Sequence, residues 1–94
     1  MAEEVPVTHG WVERRVDEIW SSLYLPATAA VGACRNAYLA CLATCEGGMD
    51  HERCQDNCRA ACLTCLRRAR VAPDTLVTLE AELEALEAEI AERT

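Results

Sequence analysis

The stretch from Ala40 to Cys65, ACLATCEGGMDHERCQDNCRAACLTC, decides how this chain folds. It holds all of the chain's seven cysteines except Cys34, which lies just upstream. On a helix that turns about 100° per residue, Cys34, Cys41 and Cys45 fall within one narrow stripe. Cys54, Cys58 and Cys65 fall within a second stripe, and Cys62 stands off to one side. Between the two runs, Gly47 and Gly48 can adopt without strain the left-handed conformation that closes a helix, and a chain reversal is expected there. Facing residues of an antiparallel helix pair have numbers with a constant sum. Cys45 with Cys54, Cys41 with Cys58, and Cys34 with Cys65 all meet that condition in one register, whereas Cys62 falls opposite Ala37 and Tyr38. Angle and register exclude the same cysteine by separate routes. Of the fifteen connectivities that six cysteines allow, helix geometry therefore selects one. The expectation is three nested disulfides, 34–65, 41–58 and 45–54, with Cys62 left as a free thiol. Cysteines also serve as small core residues, but so dense a group on two stripes points to staples.

The rest of the chain supports a small reinforced helical protein. Its 94 residues make one domain (1–94), which contains no Phe and only two Trp and two Tyr. A core this poor in large side chains needs staples, a metal or a partner. The net charge of −7 repels backbone phosphates, so nucleic acid is not the expected partner. The N-terminal MAEEVPVTHGW lacks a basic segment followed by an apolar one, so no secretory signal peptide is expected. Glu3 and Glu4 also argue against a cleaved, acid-poor organelle presequence. The weakly polar run from Leu23 to Cys34 is interrupted by Pro26 and is too short for a transmembrane segment.

Four helices follow from periodicity and punctuation, giving an all-α fold in which a stapled hairpin is flanked by two amphipathic helices. Val12, Val16, Ile19, Trp20 and Leu23 recur at spacings of three and four, which predicts an N-terminal amphipathic helix over 9–25 that stops before Pro26. The Cys-rich hairpin spans 28–70, with Asp50 as the N-cap of its second helix and Arg67, Arg68 and Arg70 at that helix's negative end. Pro73 is expected to break the chain, and Asp74 or Thr75 to cap an acidic helix over 74–93. In that last helix Leu76, Leu79, Leu83, Leu86 and Ile90 form a coiled-coil-like a/d seam, flanked by Glu80, Glu82, Glu87 and Glu89. Like charges disfavour parallel self-pairing. Two destinations stay open for the seam: the hairpin's own flank at Leu39, Leu42 and Leu66, or a basic partner helix that these five residues would bind. The first helix, with Trp11 and Trp20, is too short to stand alone and must dock.

This arrangement resembles the coiled-coil-helix-coiled-coil-helix proteins of the mitochondrial intermembrane space, in which two cysteine-bearing helices are joined by nested disulfides. Cys34 and Cys45, with Cys54 and Cys65, form a twin CX10C, a variant of that family's spacing. CLATC and CQDNC are similar to the twin CX3C of the small intermembrane-space chaperones, with a shorter gap between them. The resemblance covers residues 34–65 and assigns the family's two disulfides to Cys34–Cys65 and Cys45–Cys54. It implies entry without a presequence, driven by oxidative folding, and a role as a non-catalytic accessory subunit or assembly factor of a multi-subunit complex. Tyr38, Leu39 and Leu42 resemble the residues with which such proteins dock on their import oxidase.

The competing chemistry belongs to a reducing compartment, where disulfides do not persist and thiolates bind soft metals. There the chain looks similar to the bacterial cysteine-lined four-helix copper storage proteins. Cys41, Cys45, Cys54, Cys58, Cys62 and Cys65 would then hold Cu(I) or Zn²⁺ in a bacterial cytoplasm. Against this, the first and fourth helices carry no cysteine. CLTC, with Cys62 and Cys65, lies late in a helix rather than at the N-terminus that activates a redox CXXC. His51 precedes Cys54 by one helical turn and, like His9, is expected to be a solvated turn residue. No nucleophile–base pattern, phosphate loop or carboxylate pair suggests an enzyme, and on the staple reading no cofactor is expected.

Overall fold

A computed structural model describes residues 8–45 and 51–93 of the chain. Four helices account for nearly all of them: α1 (His9–Ser22), α2 (Ala29–Thr44), α3 (His51–Arg68) and α4 (Pro73–Arg93). No strand occurs among the described residues. Around the bundle, α1 packs on α2, α2 on α3, α3 on α4, and α4 back on α1. The fold is all-α, as the periodicity predicts. The Gly47–Gly48 turn and the Asp50 cap lie outside the described residues.

Each helix starts and stops for a local reason. Thr8 and Thr28 are extended N-caps whose hydroxyls accept from the backbone N–H of Trp11 and Val31, at 3.2 Å each. Such caps satisfy donors that the helix leaves orphaned in its first turn. Helices α1 and α3 both end in a left-handed residue, Tyr24 at φ 54° and Arg70 at φ 68°. After Tyr24, the Leu25 N–H returns to the Trp20 carbonyl at 3.2 Å; after Arg70, the Val71 N–H returns to Leu66 at 3.0 Å. This is the six-to-one bond of a Schellman ending, and Val71 and Leu66 bury together beneath it.

Two expected boundaries move. The first helix stops at Ser22 rather than at residue 25, because the Tyr24 turn closes it before Pro26 is reached. The break expected at Pro73 is present, since α3 ends at Arg68, but Pro73 itself opens α4, where a missing N–H costs nothing and φ is already suitable. Ala72, rather than Asp74 or Thr75, supplies the capping carbonyl, which accepts from Leu76 N–H at 3.1 Å. Asp74 sits in the first turn, where its charge complements the helix dipole.

The core is one cluster fed by all four helices. It takes Val12, Val16, Ile19 and Trp20 from α1, and Val31, Tyr38, Leu39 and Leu42 from α2. Helix α3 adds Leu63 and Leu66. The α4 seam completes it: Leu79 and Leu83 are 0% exposed, Leu86 1%, and Leu76 and Ile90 6%. Burial at this level stabilises by about 1.5–3 kcal/mol per large apolar side chain. The seam therefore belongs to the chain's own interior. The expectation that these five residues bind a partner helix is corrected by their burial, since a side chain covered by its own fold has no surface left to offer.

Candidate functional site: a sulfur ladder and a buried polar pin

Helices α2 and α3 are joined at three levels. Cys34 is bonded to Cys65, Cys41 to Cys58 and Cys45 to Cys54, with Cα–Cα separations of 5.7, 5.6 and 5.7 Å. Near-identical separations at all three levels mean that the helices run side by side without splaying. A disulfide requires Cα atoms within about 7 Å, and antiparallel register provides this wherever the constant-sum condition holds. Every cysteine pair named from the sequence is brought together, and Cys62 is the free thiol.

The thiol of Cys62 is itself buried, 3% exposed, with Sγ 4.0 Å from the Cys34 carbonyl oxygen. Burial, helped by the negative charge of Glu87, pushes its pKa up to about 12. It is thus held as the neutral thiol, a poor nucleophile.

Behind the ladder lies a polar arrangement that the sequence does not announce. Glu87, on α4, is 5% exposed. It accepts a 2.7 Å hydrogen bond from the Tyr38 hydroxyl on α2, and Arg59 on α3 donates to its other oxygen. One carboxylate thereby ties three helices, bridging α2 and α4 across the diagonal of the bundle. Arg59 also meets Asp56 at 3.0 Å and Glu84 at 3.5 Å. Burial opposes the Arg59 charge, but Glu87, Asp56 and Glu84 outweigh it and raise the guanidinium's pKa. Desolvation raises the Glu87 carboxyl above its ordinary value of 4.5 against the lowering effects of Tyr38 and Arg59. Desolvation and the neighbouring Glu87 charge raise the Tyr38 phenol as well.

The expected positions of Glu87 and Tyr38 are thus revised. Of the four seam-flanking glutamates, Glu80 and Glu82 are exposed and Glu89 is half-buried, but Glu87 is interior. Tyr38, Leu39 and Leu42, which resemble a docking patch for an import oxidase, are 1%, 5% and 7% exposed. In the folded chain they are core. A heptad pattern assigns Glu87 to a flank without showing that a neighbouring helix covers it; only the pairing with Tyr38 and Arg59 makes that burial affordable.

The sign of the Glu87 shift sets a pH dependence. A carboxyl whose folded pKa is raised contributes stability that is fully present below 4.5 and is lost as pH rises through the folded value. Wild type should accordingly gain stability relative to Glu87→Gln, whose amide does not titrate, as pH falls from 7 toward 4. Urea midpoints of the two proteins across that range check it, and a gap that stays constant with pH contradicts it.

The expected metal set divides. Sγ atoms of Cys45, Cys54 and Cys58 lie within 4.8 Å of one another, and Cys41 is bonded to Cys58. Cys65 is bonded instead to Cys34, and Cys62 faces the Cys34 carbonyl, so neither joins the cluster as the copper-storage resemblance implies. His51 is half-buried, in a groove between α3 and α4 with Gln55, Glu84 and Glu87, and is not part of the sulfur group.

No helix of the described residues is long and apolar enough to cross a membrane. No family model, curated protein or solved structure matches this chain.

Proposed function

We propose that this chain is a non-catalytic helical accessory subunit or assembly factor of a larger complex, working where thiols are oxidised. The observation that carries the reading is the disulfide register between α2 and α3. Three nested disulfides persist in an oxidising compartment and are rare in a reducing one. The twin CX10C spacing of Cys34 with Cys45 and Cys54 with Cys65 favours the mitochondrial intermembrane space among such compartments.

The groups with the most chemical potential are engaged in holding the fold. Six thiols are oxidised, Cys62 is buried as a neutral thiol, and Tyr38, Glu87 and Arg59 satisfy one another. The product of this chemistry is a rigid helical block, which suits a protein that supports others by shape. Its seam is consumed internally, so a protein partner would be met through another face.

Fractionation of the cells of origin tests the proposal. The chain is expected in a protease-protected compartment, released when the outer mitochondrial membrane is ruptured, and migrating natively in an assembly well above its own 10.3 kDa. Depleting it should diminish that assembly. A chain that migrates alone, with native complexes unchanged on its depletion, would overturn the reading.

A further inference from the structure

With the α4 seam buried, the groove between α3 and α4 is an outward-facing recess dominated by one sign of charge. It runs along α3 from His51 to Arg59 and along α4 from Glu84 to Glu92. Ala88 and Ala91 form part of its wall, and their small side chains keep it open. Its volume of about 670 Å³ lies within the range of recesses that hold a ligand, about 300–1,000 Å³. Five carboxylates line it, those of Glu52, Asp56, Glu84, Glu87 and Glu92, against the single guanidinium of Arg59. Arg59 is already shared among Asp56, Glu84 and Glu87. Glu52 and Glu92 are exposed and pair with no cation among the described residues. The groove therefore attracts positive charge.

Acidic side chains are ordinary on a chain of net charge −7, but Gln55 is not. It lines the same groove and is 5% exposed, yet its amide makes no hydrogen bond to any described residue. Among those residues, the polar side-chain atoms both shut off from solvent and unpartnered are Arg15 Nε and Trp20 Nε1. The Gln55 amide is thus not sealed in the interior but opens onto the groove. A nearly buried amide without a partner is costly, and a donor entering the groove would satisfy it.

The shape of the site selects the cation. Among the described residues, three or more possible ligand atoms converge within 4.8 Å only at the cysteines, so the carboxylates form no cage for a metal ion. A guanidinium spreads five N–H donors over a plane and can reach an amide oxygen and a carboxylate together. From Glu84 to Glu92 the helix rises roughly 12 Å, the span of about four residues of extended chain.

We propose that this groove docks an arginine-bearing segment of a partner protein, one guanidinium donating to the Gln55 amide oxygen and to the Glu52 carboxylate one turn before it. This docking gives the accessory role a partner chemistry and rests on that role for there being a partner. A second copy of the chain could offer only the exposed Arg67, Arg68 and Arg70 of its own α3, and the net charge of −7 on each copy opposes that pairing.

A fluorescein-labelled tetra-arginine peptide, titrated into the oxidised full chain and followed by anisotropy, should bind one-to-one and more weakly as salt rises. Tetra-lysine should bind less tightly, because an ammonium lacks the planar fork. Gln55→Leu should weaken tetra-arginine binding ~10-fold, the loss of one hydrogen bond to a charged group, with its urea midpoint not lowered. Glu52→Gln with Glu92→Gln should weaken it ~5-fold. Glu80→Gln with Glu82→Gln, the same change of charge away from the groove, should weaken it far less. A wild-type chain that does not saturate with the peptide, undiminished binding by Gln55→Leu, or equal losses from the two glutamate pairs would each overturn the assignment. Sedimentation of the chain alone should show a monomer; self-association abolished by Gln55→Leu would make a second copy the occupant and overturn the partner. The accessory role fails separately, since a chain that migrates in its native assembly without binding the peptide loses the groove alone.

Discussion

Leu83→Ala should lower the unfolding free energy of the isolated chain by about 2–5 kcal/mol, the range for truncating a buried leucine. Leu83 sits in the middle of the α4 seam and is 0% exposed. Its removal takes away transfer energy and leaves a cavity in the centre of the core, and the two losses add. Val77, six residues closer to the helix start, is 72% exposed, and Val77→Ala should change stability by less than about 0.5 kcal/mol. Denaturant unfolding of the two variants separates an internal seam from a partner-binding one. If Leu83→Ala left the lone chain as stable as wild type, the seam would not be core and the packing of α4 would be wrong.

Removing the outermost staple should be nearly as damaging. With Cys41–Cys58 still closed, the loop that Cys34–Cys65 adds to the unfolded chain is about fifteen residues, which corresponds to about 3 kcal/mol of chain entropy. The double variant Cys34→Ala with Cys65→Ala keeps two staples and introduces no buried hydroxyl, so its loss reports the crosslink. The damage should concentrate at the open end of the hairpin. Hydrogen exchange ought to accelerate around Val31 and Leu66 well before it does around Leu42 and Cys58. Uniform acceleration, or no loss of stability, would mean that α2 and α3 are held together chiefly by something other than the ladder.

The ladder was legible in the sequence because two independent constraints, helical angle and antiparallel register, act on the same six residues. Neither needs knowledge of the partners' environment. The seam was equally legible as a stripe, but a stripe does not say what covers it. Leu79 and Leu83 look the same on paper whether they meet their own hairpin or another protein. Glu87 was not legible at all, since it occupies a heptad flank like Glu80 and Glu82, and only the long-range meeting with Tyr38 and Arg59 draws it inside. The turns at Tyr24 and Arg70 escaped for a related reason. Left-handed helix endings are ordinarily signalled by glycine, and here they fall on residues that carry side chains.

Peptide mapping of the non-reduced chain, alkylated under denaturing conditions, tests the whole account most directly. It should find Cys34 linked to Cys65, Cys41 to Cys58 and Cys45 to Cys54, with one alkyl group, on Cys62, in every molecule. A different pairing among those six cysteines, or an alkyl group on any of them in protein that had never met a reductant, would contradict it.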